Sequence, residues 1–151
     1  MTIYKSLATE LIAELCNNEK LSYRRDLGDF SHGELSILAH LCYCENGACA
    51  GAIGESLAMT VPRVSAAIST LQEKGLVTKE RDPEDKRKIH IYVSREGRLL
   101  VDEKKRELED AVSWLLSHLG EEDAEEYVRI TKRINKIAAQ VMPAERSHAN
   151  D

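Results

Sequence analysis

The sequence predicts a mainly α-helical fold with one small β-hairpin. Near both ends of the chain, apolar residues recur every three or four positions, which is the spacing of amphipathic helices. Residues 89–93 instead alternate apolar and polar side chains, the period of a half-buried strand. A second short apolar segment, Leu76–Val77, precedes the turn-forming Asp82–Pro83, so the two segments are predicted to pair as a hairpin.

The distribution of charge along the chain favours a local contact with a polyanion. The 151 residues are 42% hydrophobic, which suits one compact domain or two that share a core. A formal net charge of −5 would alone argue against a nucleic-acid partner. Residues 61–98, however, hold nine Lys and Arg against six Asp and Glu, whereas the other residues hold twelve against twenty. A cationic segment of this kind is typical of a nucleic-acid contact.

The first two helices are predicted from apolar spacing and from their ends. Thr2 can cap the first helix and Asn17–Asn18 can stop it. Its apolar face comprises Tyr4, Leu7, Leu11 and Leu15. After a polar connection, Ser31 and Glu34 form a capping box, flanked by Phe30 and Leu35 as a hydrophobic staple. The buried face of this second helix is predicted to comprise Leu35, Leu38, Leu41 and Cys42, and its end to lie near residues 45–47.

A helix-turn-helix is predicted next. A short helix covers about Ala48–Leu57, and Thr60 caps the helix that follows. Pro62 lies in the first turn, where its missing N–H has no intrahelical partner to lose. Val64, Ile68 and Leu71 are predicted to face inward, which places small side chains outward. The residues assigned to the outer face or its shoulders are Thr60, Pro62, Arg63, Ser65, Ala66, Ser69, Thr70 and Glu73.

Gly75 ends this helix, and the hairpin follows with cations crowded near its tip. A short helix with a small polar outer face fits the major groove of DNA, and a cationic β-ribbon beside it can reach phosphates or the minor groove. The hairpin is here called the wing. Its residues predicted to contact DNA are Arg81, Asp85, Lys86, Arg87 and Lys88, and His90 is expected near the DNA as well.

Two further helices complete the chain. Ser94 can cap a long fifth helix in which residues 102–107 have no apolar side, so this part is predicted to be a solvated bridge. The helix becomes amphipathic again at Leu108, Val112, Leu115 and Leu119, and Gly120 ends it. An acidic first turn, residues 121–123, favours the start of the sixth helix. Its apolar residues follow the spacing of a helix–helix seam: Tyr127, Ile130, Ile134, Ile137 and Val141.

These segments resemble the MarR family of winged helix-turn-helix regulators over about residues 30–120. The segment Ile53–Thr60 resembles the first helix-turn-helix segment of the family, and Leu71–Val77 resembles its LExxGLV stretch. Asp85–Arg87 resembles the D-x-R motif at the wing tip, and Val93–Gly97 resembles the LTxxG entry into the next helix. Each motif is common alone, whereas four in order at the correct spacing are specific.

The resemblance implies a homodimer whose terminal helices intertwine while two winged helix-turn-helix lobes contact a pseudo-palindromic operator in double-stranded DNA. It implies that Arg87 enters the minor groove or grips phosphate, and that Asp85 fixes the wing by pairing with an arginine such as Arg81. Many members carry an arginine where this chain has Ala66, so we expect a broader sequence preference. The residues expected to form the dimer are Tyr4, Leu7, Leu11, Leu15, Leu115, Leu119, Tyr127, Ile130, Ile134, Ile137 and Val141.

The predicted organisation divides the chain into four parts. Residues 1–30 form an N-terminal dimerisation helix and connection, residues 31–98 the DNA-binding lobe, residues 99–142 the C-terminal linker and dimerisation helices, and residues 143–151 a flexible tail. The expected function is that of a transcriptional regulator, and of a repressor, whose DNA binding responds to a small molecule or stress signal. An alternative is a winged-helix module that binds proteins and has lost DNA binding.

A cysteine-rich segment leaves a second alternative open. His40, Cys42, Cys44 and Cys49 could hold zinc or copper(I), or could sense peroxide. Residues two apart point to different faces of a helix, so ordinary packing or surface thiols are favoured. His32 and His118 are candidates for lining an effector pocket, although such exposed histidines are common near helix ends.

Several functional classes are disfavoured by the sequence. There is no Gly-rich phosphate loop, HExxH motif or nucleophile elbow, so neither an enzyme nor a bound cofactor is predicted. There is also no apolar run long enough to span a bilayer and no signal-peptide pattern. We therefore expect a cytoplasmic protein without a membrane partner, whose cysteines are thiols.

Overall fold

The computed structural model describes residues 2–17 and 33–141 and confirms the predicted fold class. The helices and strands are α1 (Thr2–Asn17), α2 (Glu34–Tyr43), α3 (Ala50–Leu57), α4 (Val61–Glu73), β1 (Val77–Arg81), β2 (Ile89–Val93), α5 (Arg95–Leu119) and α6 (Glu121–Val141). The chain forms two compact units: residues 25–105, and the two ends of the chain, residues 1–24 with 106–151. None of the helices described is long and apolar enough to cross a membrane.

The core of the unit comprising residues 25–105 lies between α2, α3, α4 and the hairpin. Val64, Ile68 and Leu71 of α4 are buried, as their spacing predicted. Their neighbours in this core are Ile37, Leu38, Leu41, Ala48, Ile53, Val77, Ile91, Val93 and Val101. Because three inward positions fix the rotation of α4, its opposite face remains exposed.

The start of α2 differs from the prediction. The helix begins at Glu34, with Gly33 as its N-cap at a φ of 68°. The capping box was therefore wrong, because Glu34 does not occupy the third helical position; its carboxylate instead accepts a hydrogen bond from Lys74 Nζ at 2.7 Å. Ser31 and Phe30 lie outside the described residues, as does the connection that precedes them.

The buried face of α2 is also shifted by about one position. Ile37, which the prediction omitted, is fully buried beside Leu38 and Leu41, and His40 is buried as well. Leu35 and Cys42 are only partly buried at the edge of this core. The helix ends at Tyr43, and Gly47 follows with a φ of 91°, which favours glycine.

The helix α3 begins two residues later than predicted, and Ala48 instead forms an isolated bridge with Ile91 of β2. The Ile91 N–H donates to the Ala48 carbonyl at 3.1 Å, and the Gly47 N–H donates to the Ile91 carbonyl at 2.8 Å. The loop between α2 and α3 thus adds a short bridge to β2. In the hairpin itself, Val77 pairs with Val93 and Arg81 with Ile89 in antiparallel register.

The predicted caps of α4 and α5 are confirmed in position. Thr60 is the N-cap of α4, with extended backbone and no side-chain capping bond, and Pro62 lies in the first turn. Ser94 precedes α5, where its Oγ accepts a hydrogen bond from the Gly97 N–H at 3.1 Å and donates one to the Gly75 carbonyl at 2.7 Å. This second bond ties the start of α5 to the turn that ends α4.

The unit formed by the chain ends has its own core between α1, α5 and α6. Its buried residues are Leu7, Ala8, Leu11, Leu116, Ala124 and Val128. In α5, Leu116 and Ser113 are buried, whereas Leu115 and Leu119, which were predicted to contact a second chain, are exposed.

Candidate nucleic-acid interface

The outward face of α4 is small and polar, as predicted. Pro62, Arg63, Ser65, Ala66 and Ser69 are exposed, as is Thr60 at the cap, and Thr70 is half-buried. These side chains leave a surface with little bulk, which permits close approach to the floor of a groove.

The hydroxyl groups on this face are already oriented by the helix. Ser69 Oγ donates to the Ser65 carbonyl at 3.0 Å, and Thr70 Oγ1 donates to the Ala66 carbonyl at 3.2 Å. A hydroxyl that has used its one proton still offers lone pairs. Ser69 and Thr70 are thus arranged as acceptors, suited to the exocyclic amino groups of adenine or cytosine in the major groove.

The wing tip carries four exposed cations: Arg81, Lys86, Arg87 and Lys88. The side chain of Arg87 is 93% exposed, although Asp85 Oδ1 accepts hydrogen bonds from its backbone N–H at 3.1 Å and its Nε at 3.4 Å. Asp85 therefore pairs with a nearby arginine, as the resemblance implied, but this arginine is Arg87 rather than Arg81. Arg87 lies only two positions after Asp85, so the turn itself brings the carboxylate to the nearer arginine.

Asp82 is the residue that shapes the wing, a role that the sequence did not reveal. Its Oδ1 accepts hydrogen bonds from the N–H groups of Glu84 at 2.8 Å and Asp85 at 2.9 Å. The only signal in the sequence was the Asp-Pro turn, since an aspartate commonly accepts from the backbone two residues on. These bonds close the turn that presents Lys86 and Arg87.

The other carboxylate oxygen of Asp82 contacts a histidine. His90 Nε2 lies 2.8 Å from Asp82 Oδ2, and His90 Nδ1 lies 2.8 Å from the Gly47 carbonyl oxygen. The hydrogen bond to His90, with those from the backbone, lowers the pKa of Asp82 to about 2. Asp82, followed by the Gly47 carbonyl, raises the pKa of His90. His90 thus joins the wing to the loop between α2 and α3.

A cleft of about 340 Å³ lies between α3, α4 and the wing. It brings Ser65 and Ser69 of α4 together with Lys79, Arg87 and Lys88 of the hairpin. Four of the predicted contact residues, from the helix and the wing, therefore line one cleft, together with Lys79, which was not predicted. Arg63 and Ala66 lie elsewhere, in a second cleft of about 730 Å³ between α2, α4 and α5.

The cysteine-rich segment does not form a metal site. Among residues 2–17 and 33–141, no three His, Cys, Asp or Glu side chains lie close enough to hold one ion. Cys44 is exposed, and burial raises the pKa of the half-buried Cys42. Cys49 Sγ lies 3.8 Å from His90 Nδ1. His40, the remaining member of the predicted set, is buried within α2, and its Nε2 has no partner among the described residues.

The other two candidate histidines are not brought to this surface. His32 lies outside the described residues. His118 is exposed on α5, where its ring packs on Trp114 at 4.1 Å between centroids and its Nδ1 donates to the Trp114 carbonyl at 2.8 Å.

The residues expected to form a dimer divide into two groups. Leu7 and Leu11 are buried against α6 within the chain, and Tyr4 and Leu15 are half-buried there. The others that are described are exposed apolar side chains of α5 and α6. With Trp114 they are here called the terminal apolar face: Trp114, Leu115, Leu119, Tyr127, Ile130, Ile134 and Ile137. Trp114 was absent from the prediction. The side chain of Val141 is outside the described residues.

Comparison with known proteins places this architecture among transcriptional regulators. A sequence model described as the transcriptional regulator SarA/Rot matches residues 11–104, more than half of the chain. No curated protein matches the sequence. The matched range includes α2, α3, α4 and the complete hairpin.

Solved structures of regulators share the fold. A MarR-family transcriptional regulator from Rhodococcus sp. RHA1 is 18% identical, with a TM-score of 0.54 over 95% of this chain and 86% of the other. FabT from Streptococcus pneumoniae, solved in complex with DNA, is 17% identical, with a TM-score of 0.57 over 89% and 96%. CouR from Rhodococcus jostii RHA1, bound to p-coumaroyl-CoA, is 20% identical, with a TM-score of 0.53 over 95% and 86%.

Proposed function

Because this chain belongs to the SarA/Rot family of MarR-type winged-helix transcriptional regulators, we propose that it represses transcription by binding a pseudo-palindromic operator as a homodimer. Its DNA binding is released by a small molecule. The protein acts on DNA by recognition alone and catalyses no reaction.

The observation that carries this proposal is the shared cleft of α4 and the wing. The α4 side offers Ser65 and Ser69, which are small enough to let the helix approach base edges. The hairpin side offers Lys79, Arg87 and Lys88, whose charges suit phosphates on the same stretch of duplex. A single surface thus combines readout of bases with neutralisation of the backbone, as a specific DNA contact requires.

The guanidinium of Arg87 is the principal wing contact. Asp85 restrains this side chain through its Nε at 3.4 Å, while the side chain as a whole stays exposed. A pre-oriented arginine loses less conformational freedom on binding than a free one. It suits the minor groove beside the site read by α4, where A·T tracts concentrate negative potential.

The terminal apolar face supports the homodimer. Tyr127, Ile130, Ile134 and Ile137 are between 41% and 48% exposed and lie along one side of α6, apart from the buried Ala124 and Val128. A stripe of large apolar side chains of this length is typical of a helix–helix interface. Two copies related by a twofold axis would bury it and present two α4 helices to a pseudo-palindromic site.

The second cleft is the proposed site of the releasing ligand. It is lined by apolar side chains, including Leu35, Leu38 and Leu100, by the ion pair of Lys74 with Glu34, and by the cationic groups of Arg63 and Lys104. Such a lining suits a compound with an apolar body and an anionic group. Arg63 and Ala66 belong to α4, so a ligand in this cleft touches the helix that reads DNA.

Binding to promoter fragments from the protein's own genome tests the proposal. We expect retained fragments to share an inverted repeat, and their affinity to fall steeply as salt rises from about 50 to 200 mM, because bound counterions are released. Light scattering should give the mass of two chains. A protein that binds partner proteins but no genomic fragment would instead be an interaction module.

A further inference from the structure

The imidazole of His90 connects two segments that are far apart in sequence. Its Nε2 contacts Asp82 Oδ2 in the wing turn, and its Nδ1 contacts the Gly47 carbonyl in the loop between α2 and α3, each at 2.8 Å. We propose that His90 is a positioning residue for the wing. When its ring is protonated, the two hydrogen bonds to Asp82 and to the Gly47 carbonyl, here called the latch, hold the wing in the form that binds DNA.

The partners of the ring determine how many protons it carries. A backbone carbonyl has no hydrogen to donate, and neither does an ionised carboxylate. Asp82 Oδ1 already accepts hydrogen bonds from two backbone N–H groups, which keeps that carboxylate ionised. Both ring nitrogens must therefore donate, and only the imidazolium does so. The raised pKa of His90 agrees with this geometry.

Loss of one proton breaks the latch on one side. A neutral ring keeps a single N–H, so a lone pair of the ring then faces either the Asp82 carboxylate or the Gly47 carbonyl at hydrogen-bond distance. An acceptor opposed by an acceptor is unfavourable in a half-buried site. Deprotonation therefore releases the wing turn from the α2–α3 loop.

Other groups around His90 also influence the protonation of its ring, but less than its two hydrogen-bond partners do. Lys88, in the turn just before β2, disfavours the imidazolium. Glu80 is the cross-strand partner in the hairpin and adds a further negative charge nearby. Cys49, at the start of α3, places its sulfur 3.8 Å from Nδ1. A thiol is a weak donor, so it compensates a neutral ring only in part.

The latch acts on the part of the molecule that contacts DNA. Asp82 closes the turn that presents Arg87, and the α2–α3 loop holds β2 through Gly47 and Ala48. When the latch opens, the wing loses one of its attachments to the rest of the lobe. Apparent affinity falls in proportion to the latched population. DNA binding should therefore weaken as pH rises through the pKa of His90.

Nuclear magnetic resonance of the 151-residue chain without DNA tests the latch itself. The ring carbon Cε1 of His90 should titrate with a midpoint above 6.5, its ordinary value. The amide signals of Glu84, Asp85 and Gly47 should move with the same midpoint. In Asp82→Asn the midpoint should fall. A His90 midpoint at or below 6.5 in the wild type would overturn the proposal.

Operator binding between pH 6 and 8.5, at constant ionic strength, tests the consequence. We expect wild-type affinity to fall roughly three- to tenfold, the value of about one net hydrogen bond. His90→Gln, which cannot titrate, should remove this dependence, whereas His118→Gln, the matched control on α5, should keep it. Parallel profiles for the wild type and His90→Gln would refute the role of His90.

This inference rests on the proposed function. The two measurements distinguish a failure of the proposed function from a failure of the proposal about His90. An absence of DNA binding at every pH refutes the proposed function and the pH control of binding together. The latch is then decided by the titration alone: a raised His90 midpoint shared by Glu84 and Gly47 supports it, and independent midpoints contradict it.

Discussion

His90 and Asp82 face each other beside the turn of the wing, with Nε2 and Oδ2 2.8 Å apart. Each residue stabilises the charged form of the other, so the pKa of Asp82 is lowered to about 2 and that of His90 is raised. Neither residue touches the proposed DNA surface directly. Their effect on DNA binding is exerted through the turn that carries Arg87.

The pair predicts how stability depends on pH. The depressed pKa of Asp82 stabilises the folded state at pH values above 3.8, the ordinary pKa of the group, and this stabilisation is lost as the pH falls toward about 2. The raised pKa of His90 stabilises the folded state fully at pH values below 6.5, and this stabilisation is lost as the pH rises through the pKa of His90 in the folded protein. The difference in melting temperature between the wild type and Asp82→Asn should thus be largest between about pH 4 and 6.5.

The control for this measurement is Asp110→Asn. Asp110 forms an ion pair with Lys5 at 3.3 Å in which both side chains are more than 60% exposed, so it should change the melting temperature little. If both variants shifted stability equally at every pH, the pairing of Asp82 with His90 would have no energetic role.

Removal of the Arg87 side chain should weaken DNA binding. We expect Arg87→Ala to cost about 1–3 kcal/mol of operator affinity and to reduce the salt slope by about 1, because one phosphate contact disappears. Arg129→Ala is the matched control, since Arg129 is an exposed arginine of α6 that pairs with Glu126. Fluorescence anisotropy at several salt concentrations measures both quantities. Normal affinity in Arg87→Ala would remove this residue from the interface.

Two glycines should respond in opposite ways to alanine. A β-carbon at position 97 would overlap the Leu76 carbonyl oxygen and lie 2.8 Å from Val93 Cγ2, so Gly97→Ala should destabilise the fold by about 1–3 kcal/mol. At Gly51, within α3, a β-carbon meets nothing within 4 Å, so Gly51→Ala should stabilise it by about 0.5–1 kcal/mol. Urea unfolding measures both. Equal effects would contradict the packing described at Gly97.

Periodicity predicted the elements of this fold better than it predicted their contacts. Three inward residues of α4 were sufficient to orient that helix, because the spacing of 3.6 residues per turn is a local property. The link from His90 to Gly47 could not be predicted, since it spans 43 residues and depends on the register of β2. The predicted start of α2 was wrong for a similar reason: the Glu34 carboxylate accepts a hydrogen bond from Lys74, which is remote in sequence.

The same contrast between local pattern and long-range contacts explains which parts of the candidate site could be predicted. The exposed face of α4 and the cations of the wing follow from local pattern alone. That Ser65 and Ser69 share a cleft with Arg87, while Arg63 and Ala66 do not, depends on how the hairpin packs beside α4. Local pattern thus identifies the groups, and tertiary packing decides which of them can act together.

The terminal apolar face supplies the most direct test of assembly. Ile134 is 47% exposed in the single chain, so replacing it with glutamate would be tolerated if that surface faced water. At a dimer interface the same change buries an unpaired charge, which is strongly unfavourable. We therefore expect Ile134→Glu to lower the mass measured by light scattering from two chains to one and to weaken operator binding. Lys136→Glu, at an exposed position of the same helix, is the matched control and should remain dimeric. A dimeric Ile134→Glu protein would show that the twofold interface lies on another surface.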